Sequence, residues 1–306
     1  MIDIIIAHNG NIEDLKVTLS SLGYMCNQNI VIAHNEKIGA DDLNAIVPKA
    51  AIHFCISDKD TALSKFAAAL NTPKSSGEYV TFLKSGDTVC LPIRLEEVES
   101  LFGTSSSINI VEGRVVSSNR ALTNNGKELK IQGKVFRRHW LDRLNIFNSF
   151  VNDCEFALYF SHMCEATSNI CFELPYDMVR TEDGMAGWGE AYVHFLMHLF
   201  PKTNYYNKEL AEKYLAQGIC DFYFVFLSAL NLEGPEKELN GILEETKLFY
   251  LYFQEQEMSN LNILLTVYNG AILKHYSIYD DAAIMKIPCL NLVSFLDEME
   301  AMVSSN

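Results

Sequence analysis

The stretch from Asp3 to Leu22 reads DIIIAHNGNIEDLKVTLSSL and carries two structural signals in succession. A short run of β-branched apolar residues ends at Ala7, and the polar residues 9–11 interrupt it. Apolar residues then recur every three or four positions, which is typical of an amphipathic helix: Ile12, Leu15, Leu19 and Leu22. The stretch therefore predicts a buried strand, a turn and a helix.

The same alternation of strand and helix continues downstream. Apolar runs predict strands at 29–33, 51–56 and 79–83, and an alanine-rich segment at 61–70 predicts a helix. Strands separated by helices form a parallel sheet whose carboxyl ends share one edge, and ligands bind at that edge. The residues expected there are 7–10, 33–35, 56–60 and 84–87.

The rest of the chain is less regular. A strand is predicted at 108–116, a turn at 124–126 and an extended segment at 133–136, with helices beginning at 137 and 153. After about residue 205 the pattern changes to long amphipathic helices, predicted at 208–232, 235–258 and 290–303. We therefore predict an α/β domain over 1–204 and a helical C-terminal region over 205–306.

The amino-acid composition argues against two classes of binding partner. The 306 residues include 24 Lys and Arg against 39 Asp and Glu, a formal charge of −15. Binding along nucleic acid or anionic lipid needs clustered basic residues, so we expect neither a broad nucleic-acid surface nor lipid docking. Apolar residues make up 49% of the chain, which is enough for a large core.

Motifs that the sequence lacks also bear on where the protein is located and on whether it binds a metal. The sequence shows no basic and apolar leader and no run of about 20 apolar residues, so we expect a cytoplasmic protein without a membrane span. The eight cysteines form no CxxC pair, which disfavours a zinc site. His194 and His198 share a helix face but have no evident third ligand.

Four segments in chain order resemble family-two nucleotide-sugar glycosyltransferases with the GT-A fold. Residues 3–22 resemble the opening IIIPTYN…L..TL.SL pattern, and residues 76–87 (SGEYVTFLKSGD) resemble GEYI.FLDSDD. Residues 133–141 (GKVFRRHWL) resemble GK.FRR..L, and residues 147–156 (FNSFVNDCEF) resemble the F…..EDxxF segment. The resemblance covers about residues 1–165 and implies a GT-A-like, mostly parallel sheet flanked by helices.

The resemblance implies a function. Such enzymes move a sugar from a nucleotide donor, here expected to be a UDP-sugar, to a hydroxyl on a glycan, lipid-linked or macromolecular acceptor, with inversion. Most hold Mn²⁺ or Mg²⁺ on a DxD carboxylate pair, because hard oxygen ligands suit these ions and the diphosphate needs a counter-charge. A further carboxylate takes the acceptor proton. The C-terminal helices offer contacts for a homo-oligomer.

This sequence departs from the family at its acidic positions. The DSDD segment reads Lys84, Ser85, Gly86 and Asp87, so only Asp87 remains as a metal ligand, and Asn152 stands where the family carries Glu. In one interpretation, Lys84 replaces the metal as counter-charge to the diphosphate. In the other, the donor site is lost and the fold serves binding or assembly. Glycosylation of modified DNA is a third option, but it needs a basic groove.

The resemblance assigns roles to particular residues. Asp153 is the expected catalytic base and Glu155 its substitute, although an acid at that position also caps a helix. Arg137 or Arg138 is expected to stabilise the diphosphate, the alternative being a surface pair. Carboxylates after the third strand accept hydrogen bonds from uracil or ribose, or cap the next helix. The expected donor-binding residues are His8, Asn9, His34, Asp58, Lys65, Lys84, Asp87, Arg137 and Arg138.

Overall fold

The chain forms two compact units. The computed structural model describes residues 1–23, 26–35, 43–90, 95–117, 123–124, 127–128, 131–144, 150, 152–166, 170–181, 187–203 and 206–211, with isolated positions up to 301. One unit comprises 1–118 and 130–183, and the other comprises 119–129 and 184–306. The domain boundary at 204/205 stays a prediction, and the helices predicted beyond residue 211 lie outside the described residues apart from those isolated positions.

Eight strands of the first unit form one sheet, and two short strands of the second unit form a hairpin. The strands are β1 (Ile2–Ala7), β2 (Asn29–His34), β3 (Ala51–Ile56), β4 (Tyr79–Lys84), β5 (Thr88–Val89), β6 (Ile108–Ser117), β7 (Thr123–Asn124), β8 (Lys127–Glu128), β9 (Lys134–Arg137) and β10 (Ile170–Thr181). The hairpin β7–β8 flanks the predicted turn at 124–126.

Helices connect most of the strands. They are α1 (Ile12–Leu22), α2 (Ala62–Leu70), α3 (Leu95–Thr104), α4 (Arg138–Leu144), α5 (Asp153–Ala166) and α6 (Trp188–His194). A π-helical turn at Phe195–Leu199 continues α6. None of the helices in the described part of the chain combines the length and the apolar character that a membrane crossing requires.

The sheet has the order β3-β2-β1-β4-β9-β6-β10-β5. The four strands from β3 to β4 run parallel, as predicted, and their observed bounds agree with the prediction to within one residue. Strand β9 enters antiparallel to both β4 and β6, β10 is parallel to β6, and β5 closes the sheet antiparallel to β10. The sheet is therefore mixed, and the predicted α/β class is confirmed.

Helices cover both faces of the sheet, which explains the uninterrupted apolar run of β1. Ile4 and Ile6 belong to a buried cluster that contains Leu15 and Leu19 of α1. Ile5, on the opposite face, belongs to a second cluster containing residues of α2 and α5: Leu63, Phe66, Phe156 and Phe160. A strand buried on both faces has no polar alternation, because neither side meets water.

A buried carboxylate ties together the amino ends of the central strands. Asp3 is completely buried. Its Oδ1 accepts from Asn29 Nδ2 at 2.9 Å, and its Oδ2 accepts from Ser75 Oγ at 2.9 Å, from Gly77 N at 2.8 Å and from Arg138 Nη2 at 2.6 Å. A Cβ on Gly77 would lie 2.5 Å from Asp3 Oδ1, so this position requires glycine.

Arg137 is also fixed at this end of the sheet. Its Nη1 donates to Glu78 Oε1 at 3.1 Å, its Nε donates to Ile108 O at 3.1 Å, and its Nη2 donates to Phe102 O at 3.0 Å. The guanidinium carbon lies 5.5 Å from the ring centre of Tyr79 and 5.2 Å from that of Phe102. These contacts satisfy the guanidinium inside the protein.

The positions of Arg137 and Arg138 do not support the prediction that one of them stabilises a diphosphate. Tyr79, the first residue of β4, pairs with Arg137. Arg138 contacts Asp3, near the start of β1. Both guanidiniums therefore lie at the amino ends of these strands, opposite the edge where the donor was predicted to bind, and they serve the fold.

The buried ion pair makes a testable contribution to stability. Arg138→Ala is expected to lower the free energy of unfolding by about 3–5 kcal/mol, because it strands a buried carboxylate without its cation. Urea denaturation measures the change. The control is Arg114→Ala, since Arg114 pairs with Asp177 at 3.0 Å with side chains 63% and 47% exposed, and this change should cost no more than about 1 kcal/mol. Equal losses from both variants would contradict the assignment.

Candidate functional site

The carboxyl ends of β1, β2 and β3 lie side by side at one edge of the sheet. His8, directly after β1, donates its backbone N–H to Ala33 O at 2.9 Å. Ser57, directly after β3, donates to His34 O at 2.8 Å. These hydrogen bonds extend the pairing by one residue beyond the strands, so the residues that follow them leave the sheet together. The edge predicted to hold the ligand is thus formed as expected from the topology.

A tight turn ends β4 at the same edge. Asp87 N donates to Lys84 O at 3.0 Å, and Lys84 N donates to Asp87 Oδ2 at 2.7 Å, so the buried Asp87 closes the turn from both sides. Gly86 has φ +98°, a left-handed conformation that favours glycine. Its N–H donates to Thr18 Oγ1 at 2.9 Å, which anchors the turn to α1. One carboxylate oxygen of Asp87 is therefore committed to the backbone.

An ion pair joins two predicted motifs that are far apart in the chain. Lys84 Nζ lies 3.3 Å from Asp153 Oδ2, and the two side chains are 27% and 35% exposed. Asp153 Oδ1 accepts from Leu63 N at 3.1 Å, in the first turn of α2. Asp153 therefore supplements Thr61, the N-cap of α2, whose Oγ1 accepts from Ser64 N at 3.2 Å. Asn152 Oδ1 accepts from Glu155 N at 2.9 Å and caps the helix that Asp153 begins. An ammonium and a carboxylate thus face each other at a partly exposed position.

His8 is held next to the β4 turn. Its Nδ1 and Ser85 Oγ share a hydrogen bond of 2.9 Å, and the residue is almost fully buried. Burial lowers the pKa of His8, the charges of Lys65 and His34 lower it further, and Asp14 opposes the shift. The neutral imidazole is therefore favoured, with one nitrogen as donor and the other as acceptor.

Lys65 is a buried cation that supports the end of β1. Its Nζ donates to His8 O at 2.6 Å and to Asp60 Oδ1 at 2.5 Å. Lys65 is 2% exposed, whereas Asp60 is 68% exposed. The hydrogen bond and charge of Lys65, with a smaller contribution from Asn35, lower the pKa of Asp60. Asp60, rather than the predicted Asp58, joins this cluster.

Several predicted residues lie outside the cluster. Asn9 is exposed, donates to Asp14 Oδ2 at 2.8 Å and accepts from Asn11 N at 3.0 Å, so it shapes the loop before α1. Asp58 is exposed in the turn after β3. Glu155 is completely buried. The placement of Glu155 does not support the prediction that it substitutes for Asp153, because a side chain without exposed surface does not meet a substrate.

The structure brings together one group of the predicted site residues and separates the others. The group at the carboxyl edge consists of His8, His34, Lys65, Lys84, Asp87 and Asp153. Sequence reasoning missed Ser85 as a partner of His8 and the Leu63 amide as a partner of Asp153. Both are contacts across long stretches of chain, and no local pattern signals them.

The described residues do not fit a DxD-type metal site. No group of three or more His, Cys, Asp or Glu among them is placed to hold a metal ion. A metal bound to Asp87 would need a second oxygen ligand. The turn that ends with Asp87 carries the ammonium of Lys84 instead. The rings of His194 and His198 lie 4.8 Å apart, but this pair also finds no third ligand within the part of the chain that the structure describes.

Comparisons with known proteins identify the fold. No protein-family model matches the sequence, and no curated protein matches it. Residues 1–349 of S. aureus TarS solved with UDP give a TM-score of 0.61 at 12% identity, covering 100% of this chain and 92% of that one. The same fragment with UDP-GlcNAc gives 0.58 at 13% identity, covering 100% and 93%.

A more distant structure is the mannosyltransferase PcManGT from Pyrobaculum calidifontis in complex with GDP-Man and Mn²⁺. It gives a TM-score of 0.45 at 12% identity, covering 99% of this chain and 80% of that one. At the identities of the TarS structures the likeness concerns the fold alone. The chain has the GT-A-like fold that the sequence motifs predicted.

The buried His8 predicts a specific pH dependence. Its folded pKa is lowered, so the unfolded chain binds more protons as pH falls through about 6.5. Wild-type stability should therefore decrease from pH 7 to pH 5, by at most about 1.4 kcal/mol per pH unit from this residue. His8→Asn should flatten that slope in urea denaturation. Identical slopes in the two proteins would contradict the assignment.

Proposed function

We propose that the chain is a glycosyltransferase that moves a sugar from a nucleotide donor, a UDP-sugar, to a hydroxyl acceptor with inversion. The observation that carries the proposal is the contact of 3.3 Å between Lys84 and Asp153. It joins the two segments that resemble the donor and base motifs, at the edge where sheets of this kind bind ligands. The TarS structures that share the fold were solved with UDP and UDP-GlcNAc, which supports the donor class.

The chemistry follows from the two charged groups. The carboxylate of Asp153 accepts the proton of the acceptor hydroxyl as its oxygen attacks the anomeric carbon. The new carbon–oxygen bond forms on the face opposite the leaving group, the bond to the diphosphate breaks, and the nucleoside diphosphate leaves with the bonding electrons. The ammonium of Lys84 offsets the charge that develops on the diphosphate. A bound Mn²⁺ or Mg²⁺ would supply the same charge, but the described residues do not fit one.

The surrounding residues position these groups. Gly86 and Asp87 fix the backbone of Lys84, and the Leu63 amide fixes one oxygen of Asp153. Lys65 holds the end of β1 through His8 O, so we propose it as a positioning residue rather than a ligand of the donor. We propose His8, His34 and Asp87 as the other residues of the donor edge. The acceptor would be a glycan, a lipid-linked sugar or a macromolecule.

A binding or assembly module without turnover is the second candidate function. The observation that favours it is the departure from the acidic motif, because Lys84, Ser85 and Gly86 stand in the DSDD segment and only Asp87 remains of its acids. Such a module would still bind a nucleotide or a glycan at the same edge. Turnover separates the two candidates.

Asp153→Asn is expected to lower kcat by about 100-fold or more without weakening UDP binding, because the amide accepts no proton. The measurement is UDP release from a panel of UDP-sugars, alone and with hydroxyl acceptors. The amide oxygen still caps the Leu63 N–H, so the melting temperature should stay close to that of the wild type. UDP binding by the wild type without turnover of any donor would instead favour the module.

Lys84→Met is expected to weaken UDP binding at least about 10-fold, because the diphosphate loses its cation. The binding is measured by calorimetry in EDTA, where the wild type should bind as well as with Mn²⁺. The matched control is Lys16→Met, which removes an exposed lysine paired with Glu13 on α1 and should leave UDP affinity unchanged. Loss of wild-type binding in EDTA, with binding by Lys84→Met retained in Mn²⁺, would overturn the role of Lys84.

A further inference from the structure

Two histidines lie next to each other in the second unit. His194 is the last residue of α6, and His198 stands four positions later, inside the π-helical turn Phe195–Leu199. Residues four positions apart share a face of a helix. The two ring centres are 4.8 Å apart, and the ring planes are inclined at 52°. Because His194 is partly exposed and His198 is exposed, an ion from solution can reach the pair.

The separation of the two rings suits a shared metal ion. A ring centre lies about 3.2 Å from a transition-metal ion that its nitrogen binds at about 2.0–2.1 Å. Two rings that meet at about 100–110° on one ion therefore have centres about 5 Å apart. The observed 4.8 Å is close to that value, so rotation of the rings is enough to direct one nitrogen of each at the same ion. The second nitrogen of each ring keeps its capacity for a hydrogen bond within the protein.

The backbone between the two histidines is held by packing. Phe195 and Leu196 are buried, whereas Met197 is 43% exposed. The ring of Phe195 stacks on that of Phe200 with 5.7 Å between the ring centres. Single π-helical turns at the end of or within a helix are frequent at functional sites. A pair of ligands on a backbone fixed in this way loses little conformational freedom when it binds an ion.

The chemistry of the ligands selects the class of ion. Imidazole nitrogen suits Zn²⁺, Ni²⁺ and Cu²⁺, whereas Mg²⁺ and Ca²⁺ take oxygen ligands. The intervening residues 195–197 include no Glu, which the HExxH motif of hydrolytic zinc sites carries as its base. The pair is therefore suited to binding an ion rather than to hydrolysis. Glu190, exposed four positions before His194, adds a negative charge on the same row of the helix.

We propose that His194 and His198 bind a divalent transition-metal ion of the class of Zn²⁺, Ni²⁺ and Cu²⁺, with one nitrogen from each ring and water in the remaining coordination positions. The ion would join the end of α6 to the π-helical turn and so hold this junction in place. The site uses none of the residues assigned to sugar transfer, and it does not depend on the proposed function.

Calorimetry with Zn²⁺ as the probe tests the site. The wild type should bind an ion whose affinity falls at least about 10-fold in both His194→Ala and His198→Ala, because each change removes one of the two protein ligands. The matched control is His139→Ala, since His139 is an exposed histidine on α4, and it should leave the affinity unchanged. Mg²⁺ should give no binding that depends on either histidine.

The variant His198→Cys separates a ligand from a residue that only shapes the turn. A thiolate binds Zn²⁺, so this variant should bind the ion at least about 10-fold more tightly than His198→Ala. Equal affinities of His198→Cys and His198→Ala would overturn the role of His198 as a ligand.

Two further results overturn the site. Zn²⁺ binding that His194→Ala and His198→Ala both retain would assign the ion to other side chains. A wild-type protein that binds no Zn²⁺ would reduce the two rings to a packing contact.

Discussion

The buried carboxylate of Asp3 fixes the starts of the central strands, and the rest of the sheet depends on that constraint. A charge without water is tolerated only when every oxygen is paired, and the donors to Asp3 come from β2, from the loop before β4 and from the first turn of α4. The starts of these elements are therefore fixed relative to one another. Since β1, β2 and β4 each have six residues in parallel register, their carboxyl ends finish within one residue of one another, and the polar residues after them are gathered at one edge.

The sequence patterns predicted those strands whose apolar residues match their burial in the structure. Strands β1 to β4 are short and mostly apolar, because most of them are buried on both faces, and such runs are easy to recognise. Strand β10 was missed. Its Glu173, Pro175 and Asp177 interrupt the apolar run, and irregular register against β6 accommodates them. Strand β5 has two residues and carries no pattern at all.

Of the candidate site, too, only some residues could be located from the sequence. His8 and Lys84 were found because they stand at the carboxyl ends of recognisable strands. Arg137 and Arg138 were misplaced because a sequence shows that a strand precedes them but not in which direction it runs. Strand β9 is antiparallel to β4, so its carboxyl end lies at the amino end of β4. In a parallel strand the same two residues would have reached the edge that holds Lys84.

The hydrogen bond that Asp153 accepts from the first turn of α2 has a consequence for how this chain can change over generations. Its contact with the Leu63 amide ties the residue to folding as well as to the proposed proton transfer. Selection on folding alone accepts Asn at this position, because an amide oxygen accepts the same hydrogen bond from Leu63 N, whereas selection on turnover does not accept it. A single substitution of Asp153 by Asn thus removes catalysis and keeps the fold. Its presence in a lineage marks the loss of selection for turnover.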